Sequence, residues 1–158
     1  MNNKKNFLSI GLLIFVTAAV VTAVMKQSGT EIADDVAQSS HADAALPDGA
    51  VVATFFHGET RCPTCRTIED FAQQAIEEGF ADKLASGEIQ WRVVNYDAPA
   101  NKHYATDYEI YSSTVVLVRT IDGKPADWRN LERVWGFVND EEAFKKYVRA
   151  ETEEMLSL

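Results

Sequence analysis

The fold of this chain is decided by residues 51–65, which read VVATFFHGETRCPTC. The β-branched and aromatic run over residues 50–56 predicts a buried strand. A loop through Gly58 then leads to Cys62 and Cys65, the only two cysteines of the chain. Two cysteines three positions apart are typical of a dithiol/disulfide redox pair.

The segment after the first cysteine predicts a helix over residues 62–78. Its apolar residues repeat at helical spacing, namely Ile68, Phe71, Ala72, Ala75 and Ile76. Cys62 would lie at the helix N-terminus, where free N–H groups and the helix dipole stabilise a thiolate. Pro63 suits the first helical position, Thr64 completes the CPTC motif, and Arg61 and Arg66 add positive charge beside it.

Two other interpretations of the cysteine pair stay open. A CxxC motif can be half of a zinc site, but the chain has no second CxxC, and zinc usually takes four ligands. None of His41, His57 and His103 lies at a zinc-finger spacing from the cysteines. The pair could also be an inert structural disulfide. We favour a redox-active pair.

The N-terminus predicts a membrane segment. Residues 7–25 are uncharged and largely apolar, and they lie between Lys4 and Lys5 on one side and Lys26 on the other. Nineteen helical residues at about 1.5 Å each approach the bilayer core thickness of about 30 Å. We predict a single-pass signal anchor, a transmembrane helix, over residues 1–26; a signal peptide cleaved near Ala23 stays open.

Either alternative exports the rest of the chain. Lysines before the apolar run keep the N-terminus inside, so the domain would face the periplasm or the outside of the inner (cytoplasmic) membrane. Disulfides persist there. Beyond the anchor, twelve basic residues stand against twenty-four acidic ones, a net charge of −12. That charge disfavours nucleic-acid partners and anionic membrane surfaces.

A polar stretch over residues 27–48 predicts a flexible linker, and residues 49–158 the folded domain. After the first helix we expect alternating segments in the order βαβαββα. These are a short helical piece at 80–85, a strand at 89–96, a helical or irregular connection at 97–107, a strand at 114–118, a turn at 121–125, a strand at 131–135 and a last helix capped by Asn139.

That order, with the CxxC motif opening the first helix, resembles the thioredoxin fold, an α/β three-layer sandwich. Local similarity lies in residues 55–65, 93–97, 108–117 and 134–136. The resemblance implies a thiol–disulfide oxidoreductase that needs no cofactor beyond its redox-active disulfide and no metal. Cys62 would be the nucleophile and Cys65 the resolving cysteine.

The chain also departs from the thioredoxin pattern. Ser113, directly before Thr114, stands where the family carries a cis-proline that faces the cysteines. We expect a trans bond there, because a non-proline cis peptide costs about 2.5–4 kcal/mol. The first strand lacks the family's buried acid. His57 or Glu59 could substitute as proton carrier, but an ordinary loop residue is the favoured interpretation of each. Arg61 replaces the family's tryptophan.

A membrane-tethered domain with Phe56-His57-Gly58 and an RCPTC motif is similar to the ArsF family, known as a subunit of nitrophenyl compound nitroreductase. This resemblance implies an electron relay with an integral membrane dithiol/disulfide donor or acceptor and a protein disulfide as substrate. Two alternatives remain: a soft-metal or arsenite-binding protein that uses the same cysteines, and a catalytically silent interaction domain.

Overall fold

A computed structural model describes residues 48–158. The predicted anchor and all but the last residue of the predicted linker lie outside these residues and stay predictions. The strands are β1 (Val51–His57), β2 (Ile89–Asn95), β3 (Thr114–Ile121) and β4 (Lys124–Asn130). The helices are α1 (Pro63–Gly79), α2 (Ala81–Ser86), α3 (His103–Asp107) and α4 (Glu141–Leu156), with 3-10 turns at Pro99–Asn101 and Glu132–Phe137. Among residues 48–158 no helix is long and apolar enough to cross a membrane.

The four strands form one mixed sheet in the order β2-β1-β3-β4. Strand β1 runs parallel to β2 and antiparallel to β3, and β3 runs antiparallel to β4. Phe56, near the end of β1, lies opposite Val94 of β2 and Thr114 at the start of β3. The loop that leaves β1 toward Cys62 therefore begins at the sheet end where β3 starts.

The central strands are buried on both faces, because each face of the sheet is covered. Alternate residues of β1 and β3 point to opposite faces. One set joins α1 and α4 in the larger core: Val51, Ala53, Phe55, Val115 and Leu117. The other set packs toward α3 and the segment after it: Val52, Phe56, Val116 and Val118. The predicted three-layer α/β arrangement is confirmed for this part of the chain.

Helices α1 and α4 are joined by a buried lysine. The Lys145 ammonium lies 2.6 Å from a Glu141 carboxylate oxygen, 2.7 Å from the Gln74 amide oxygen and 3.3 Å from Glu78. Its side chain is only 7 % exposed. Because a buried charge is tolerated only when it is paired, these contacts fix how the two helices lie against each other.

The predicted strand over residues 131–135 is wrong. Strand β4 is Lys124–Asn130, a largely exposed outer strand, and it follows a two-residue turn at Asp122 and Gly123. Both turn residues have positive φ, as a tight hairpin requires. Leu131 and Val134 are buried three residues apart, a spacing that fits the 3-10 turn Glu132–Phe137 and not a strand.

The predicted cap of the last helix is displaced by one residue. Asp140, not Asn139, is the N-cap of α4, and its carboxylate accepts the Ala143 N–H at 3.0 Å. Glu141 and Glu142 occupy the first turn, as predicted, where the helix dipole favours acidic side chains.

Candidate redox site

The two cysteines form a disulfide at the start of α1. Cys62 is the helix N-cap, as predicted, and its Sγ accepts the Cys65 N–H at 3.0 Å. Pro63 takes the first helical position. Cys65 is 7 % exposed, whereas Cys62 is half-buried. Of the two sulfur-bearing residues, Cys62 is thus the one that a partner can reach.

The two arginines next to the cysteines differ in their pairing. Arg61 forms an ion pair with Glu69 of α1. Arg66 is exposed and forms no ion pair with residues 48–158. Both arginines line a cleft of about 380 Å³ together with Glu69 and Asp70. The predicted positive charge beside Cys62 is therefore partly balanced, which the sequence did not predict.

The loop between β1 and Cys62 is tied to the end of β2. The Glu59 N–H donates to an Asp97 carboxylate oxygen at 2.8 Å. A side chain at Gly58 would place its Cβ 2.7 Å from that same oxygen, so a larger residue there would displace the Asp97 carboxylate from this contact. Asp97 therefore helps to position the loop that carries Cys62.

The two suggested proton carriers make other contacts. His57 Nδ1 lies 2.8 Å from the Gly58 carbonyl oxygen, and its ring stacks on Phe55. The Glu59 carboxylate accepts from the Asn95 amide at 3.4 Å. Within the described residues, neither side chain hydrogen-bonds a cysteine sulfur. No three His, Cys, Asp or Glu side chains of residues 48–158 converge as a metal site.

Ser113 and Thr114 are buried where β3 begins, at the same end of the sheet as the loop to Cys62. Every peptide bond in the described part of the chain is trans, including the one before Ser113. Thr114 Oγ1 donates to the Asn130 side-chain oxygen at 2.7 Å. The Asn130 amide donates to the carbonyl oxygens of Tyr108 and Glu109. Asn130 thus ties the segment before Ser113 to the outer strand.

Trp135, which the sequence placed in a strand, contacts the predicted site residue Ser113. Its indole N–H donates to the Ser113 carbonyl oxygen at 2.9 Å, and the residue is 37 % exposed. Tyr111, two residues before Ser113, is 85 % exposed. The Trp135-Gly136 pair before the last helix was the sequence feature that could have pointed to Trp135. Its partner could not be predicted, because Ser113 lies 22 residues away.

The chain matches no family model and no curated protein. Among solved structures, a Thermus thermophilus thioredoxin is 19 % identical, over 65 % of this chain and 74 % of that one, with a TM-score of 0.38. A Fasciola hepatica thioredoxin is also 19 % identical, over 63 % of this chain and 82 % of that one, with a TM-score of 0.36. Chlamydomonas reinhardtii thioredoxin f2 is 12 % identical, over 62 % and 84 %, with a TM-score of 0.34.

These scores are too low to carry an argument by themselves. The class of the domain follows from its strand order, from the helix after β1 and from the disulfide at that helix's N-terminus. Residues 48–158 form a thioredoxin-like fold with a CxxC disulfide.

Proposed function

We propose that this chain is a membrane-anchored, extracytoplasmic thiol–disulfide oxidoreductase that relays electrons through Cys62 and Cys65. One observation carries the proposal: a half-buried cysteine is the N-cap of α1 and is bonded to a buried cysteine one turn later. That arrangement presents one sulfur to a partner and keeps the second in reach to resolve the intermediate.

The exchange would run in two balanced steps. In the dithiol form, the Cys62 thiolate attacks one sulfur of a partner disulfide, that S–S bond breaks, and the other partner sulfur leaves as a thiolate. Cys65 then loses its proton and attacks the Cys62 sulfur. The partner's second thiolate leaves, the Cys62–Cys65 bond re-forms, and two electrons have passed to the partner. The reverse sequence accepts electrons from a reduced carrier.

The membrane part of the proposal is supported by the sequence. Residues 7–25 form an uncharged apolar run long enough to span a bilayer. The Phe56-His57-Gly58 and RCPTC motifs are similar to those of the ArsF family. An integral membrane dithiol carrier as electron donor or acceptor, with a protein disulfide at the other end of the relay, fits both observations.

Mixed-disulfide trapping on the full-length protein in detergent tests the proposal. Cys65→Ser removes the resolving sulfur, so incubation with a disulfide-bonded protein such as insulin should leave a covalent mixed disulfide on Cys62. Cys62→Ser is the matched control, because its remaining sulfur is buried, and it should trap little.

Equal trapping by both variants would contradict the roles of the two cysteines. A wild-type protein that reduces no disulfide, and that carries a soft metal ion in a one-to-one ratio, would overturn the proposal in favour of a binding protein.

A further inference from the structure

The ion pair between Arg61 and Glu69 lies next to the reactive cysteine. Arg61 directly precedes Cys62, and Glu69 is in the second turn of α1. The Arg61 side chain is 32 % exposed and that of Glu69 is 16 % exposed. Because both are largely shielded from solvent, salt screens this pair less than a fully exposed one.

The helix geometry shows how Glu69 reaches the arginine. Glu69 lies seven positions after Cys62, which is nearly two full turns, so both lie on the same side of α1. At about 1.5 Å per residue, Glu69 lies roughly 10 Å farther along the helix axis. Because helical side chains lean toward the N-terminus, the Glu69 carboxylate reaches back along this side and pairs with the Arg61 guanidinium.

A free guanidinium beside Cys62 would favour the thiolate, as the sequence suggests for Arg61. We propose that Glu69 is a positioning residue of the redox site: it pairs with the Arg61 guanidinium and so limits the stabilisation that this charge gives to the Cys62 thiolate of the dithiol form. This inference rests on the proposed function. Arg66, exposed and without an ion pair within residues 48–158, leaves the site one cation that Glu69 does not hold.

The consequence is a redox pair that is less oxidising than its sequence indicates. A stabilised Cys62 thiolate favours the reduced protein and raises the reduction potential of the pair. Holding the Arg61 charge on Glu69 removes part of that stabilisation, and the carboxylate adds its own negative potential along the same side of α1.

Substitution of Glu69 tests the inference in the full-length protein. In a Cys65→Ser background, where Cys62 is the only thiol, we expect Glu69→Gln to raise the rate of iodoacetamide alkylation at pH 6 about threefold, on Coulomb energies for partly screened charges. With both cysteines present, equilibration against glutathione should show that the reduction potential of the Glu69→Gln protein is about 15 mV above that of wild type. This value is the threefold change converted for a two-electron couple.

Three further variants make the test specific. Glu77→Gln makes the same charge change on an exposed residue of α1 that is hydrogen-bonded to Gln73, and it should change neither quantity. Glu69→Asp keeps the charge and should restore most of the wild-type behaviour. In an Arg61→Gln background, Glu69→Gln should have a clearly smaller effect, because no guanidinium remains to be released.

An equal effect of Glu69→Gln with and without Arg61 would show a plain field effect and overturn the positioning role, as would no effect at all. Either result leaves mixed-disulfide trapping by Cys62 intact. Failure of this inference is thus distinguishable from failure of the proposed function.

Discussion

The two faces of the sheet are covered in different ways. On one face, α1 and α4 enclose a core of fully buried residues such as Ile68, Phe144 and Val148, and buried Lys145 joins the two helices. On the other face, the five-residue helix α3 and the residues after it place half-buried rings of Tyr104 and Tyr108 against Phe56. Stability therefore rests mainly on the two long helices, because the second face has a thinner, aromatic cover.

The largest expected effect tests the helical face. Phe144 is fully buried and packs edge-on against Phe71 at 5.5 Å. Phe144→Ala should lower the free energy of unfolding by about 3–5 kcal/mol, the usual cost of such a cavity. Urea unfolding of the full-length protein in detergent measures it, with the 57 % exposed Leu158→Ala as the control. If Phe144→Ala lowered the free energy of unfolding less than Tyr104→Ala does, the aromatic face would contribute more to stability than the helical face.

A smaller effect is expected on the aromatic face. The Tyr104 ring lies 5.2 Å from Phe56 and 5.7 Å from Tyr108, and the residue is half-buried. Tyr104→Ala should therefore cost about half as much as a fully buried aromatic, roughly 1.5–2.5 kcal/mol. Tyr111→Ala, at an 85 % exposed position, should stay within about 0.5 kcal/mol of wild type. If Tyr104→Ala left the free energy of unfolding unchanged, the aromatic cover would contribute nothing to stability.

The smallest effect is a loss of stability in alkali, and it involves both faces. Burial raises the pKa of Tyr108 above its ordinary value of 10.0. The hydrogen bond to Glu141 is the main cause that raises the pKa of Lys145 above 10.5. In both cases the folded protein favours the protonated group. The stabilisation that each group contributes is therefore complete below about pH 10 and is lost as pH rises through the raised pKa of the folded state.

Tyr108→Phe isolates the contribution of Tyr108. It should reduce the fall in unfolding free energy between pH 9 and 11.5, and leave the part due to Lys145, Tyr96 and Tyr147, whose pKa values are also raised. Tyr111→Phe, the exposed control, should leave the pH profile unchanged. If Tyr108→Phe has the profile of wild type, Tyr108 does not contribute to the alkaline loss.

Much of the fold could be predicted because the central elements have strong periodic signals. The buried runs of β1 and β3, and the apolar face of α1, arise from residues that must leave water, and the cysteine pair marks the start of that helix. The position of Cys62 at the N-cap followed from the same local chemistry.

What the sequence could not predict depends on partners far along the chain. Strand β4 is an outer strand with exposed polar residues, so it has no apolar alternation, and the apolar pair Leu131 and Val134 drew the prediction to the wrong segment. The contact of Trp135 with Ser113 arises only when separate elements meet in space. The contact of Arg61 with Glu69 is local, but it depends on how the chain enters α1.

The outer position of β4 has a consequence for how this protein behaves at high concentration. An uncovered strand can pair with a strand of another molecule and seed aggregation. Pro125 removes one backbone donor from β4, Lys124 and Asp127 add charge, and the register against β3 shifts between Arg119 and Thr120. Such features are the ones that disfavour edge-to-edge pairing. Along β4, copies crowded together should therefore remain separate.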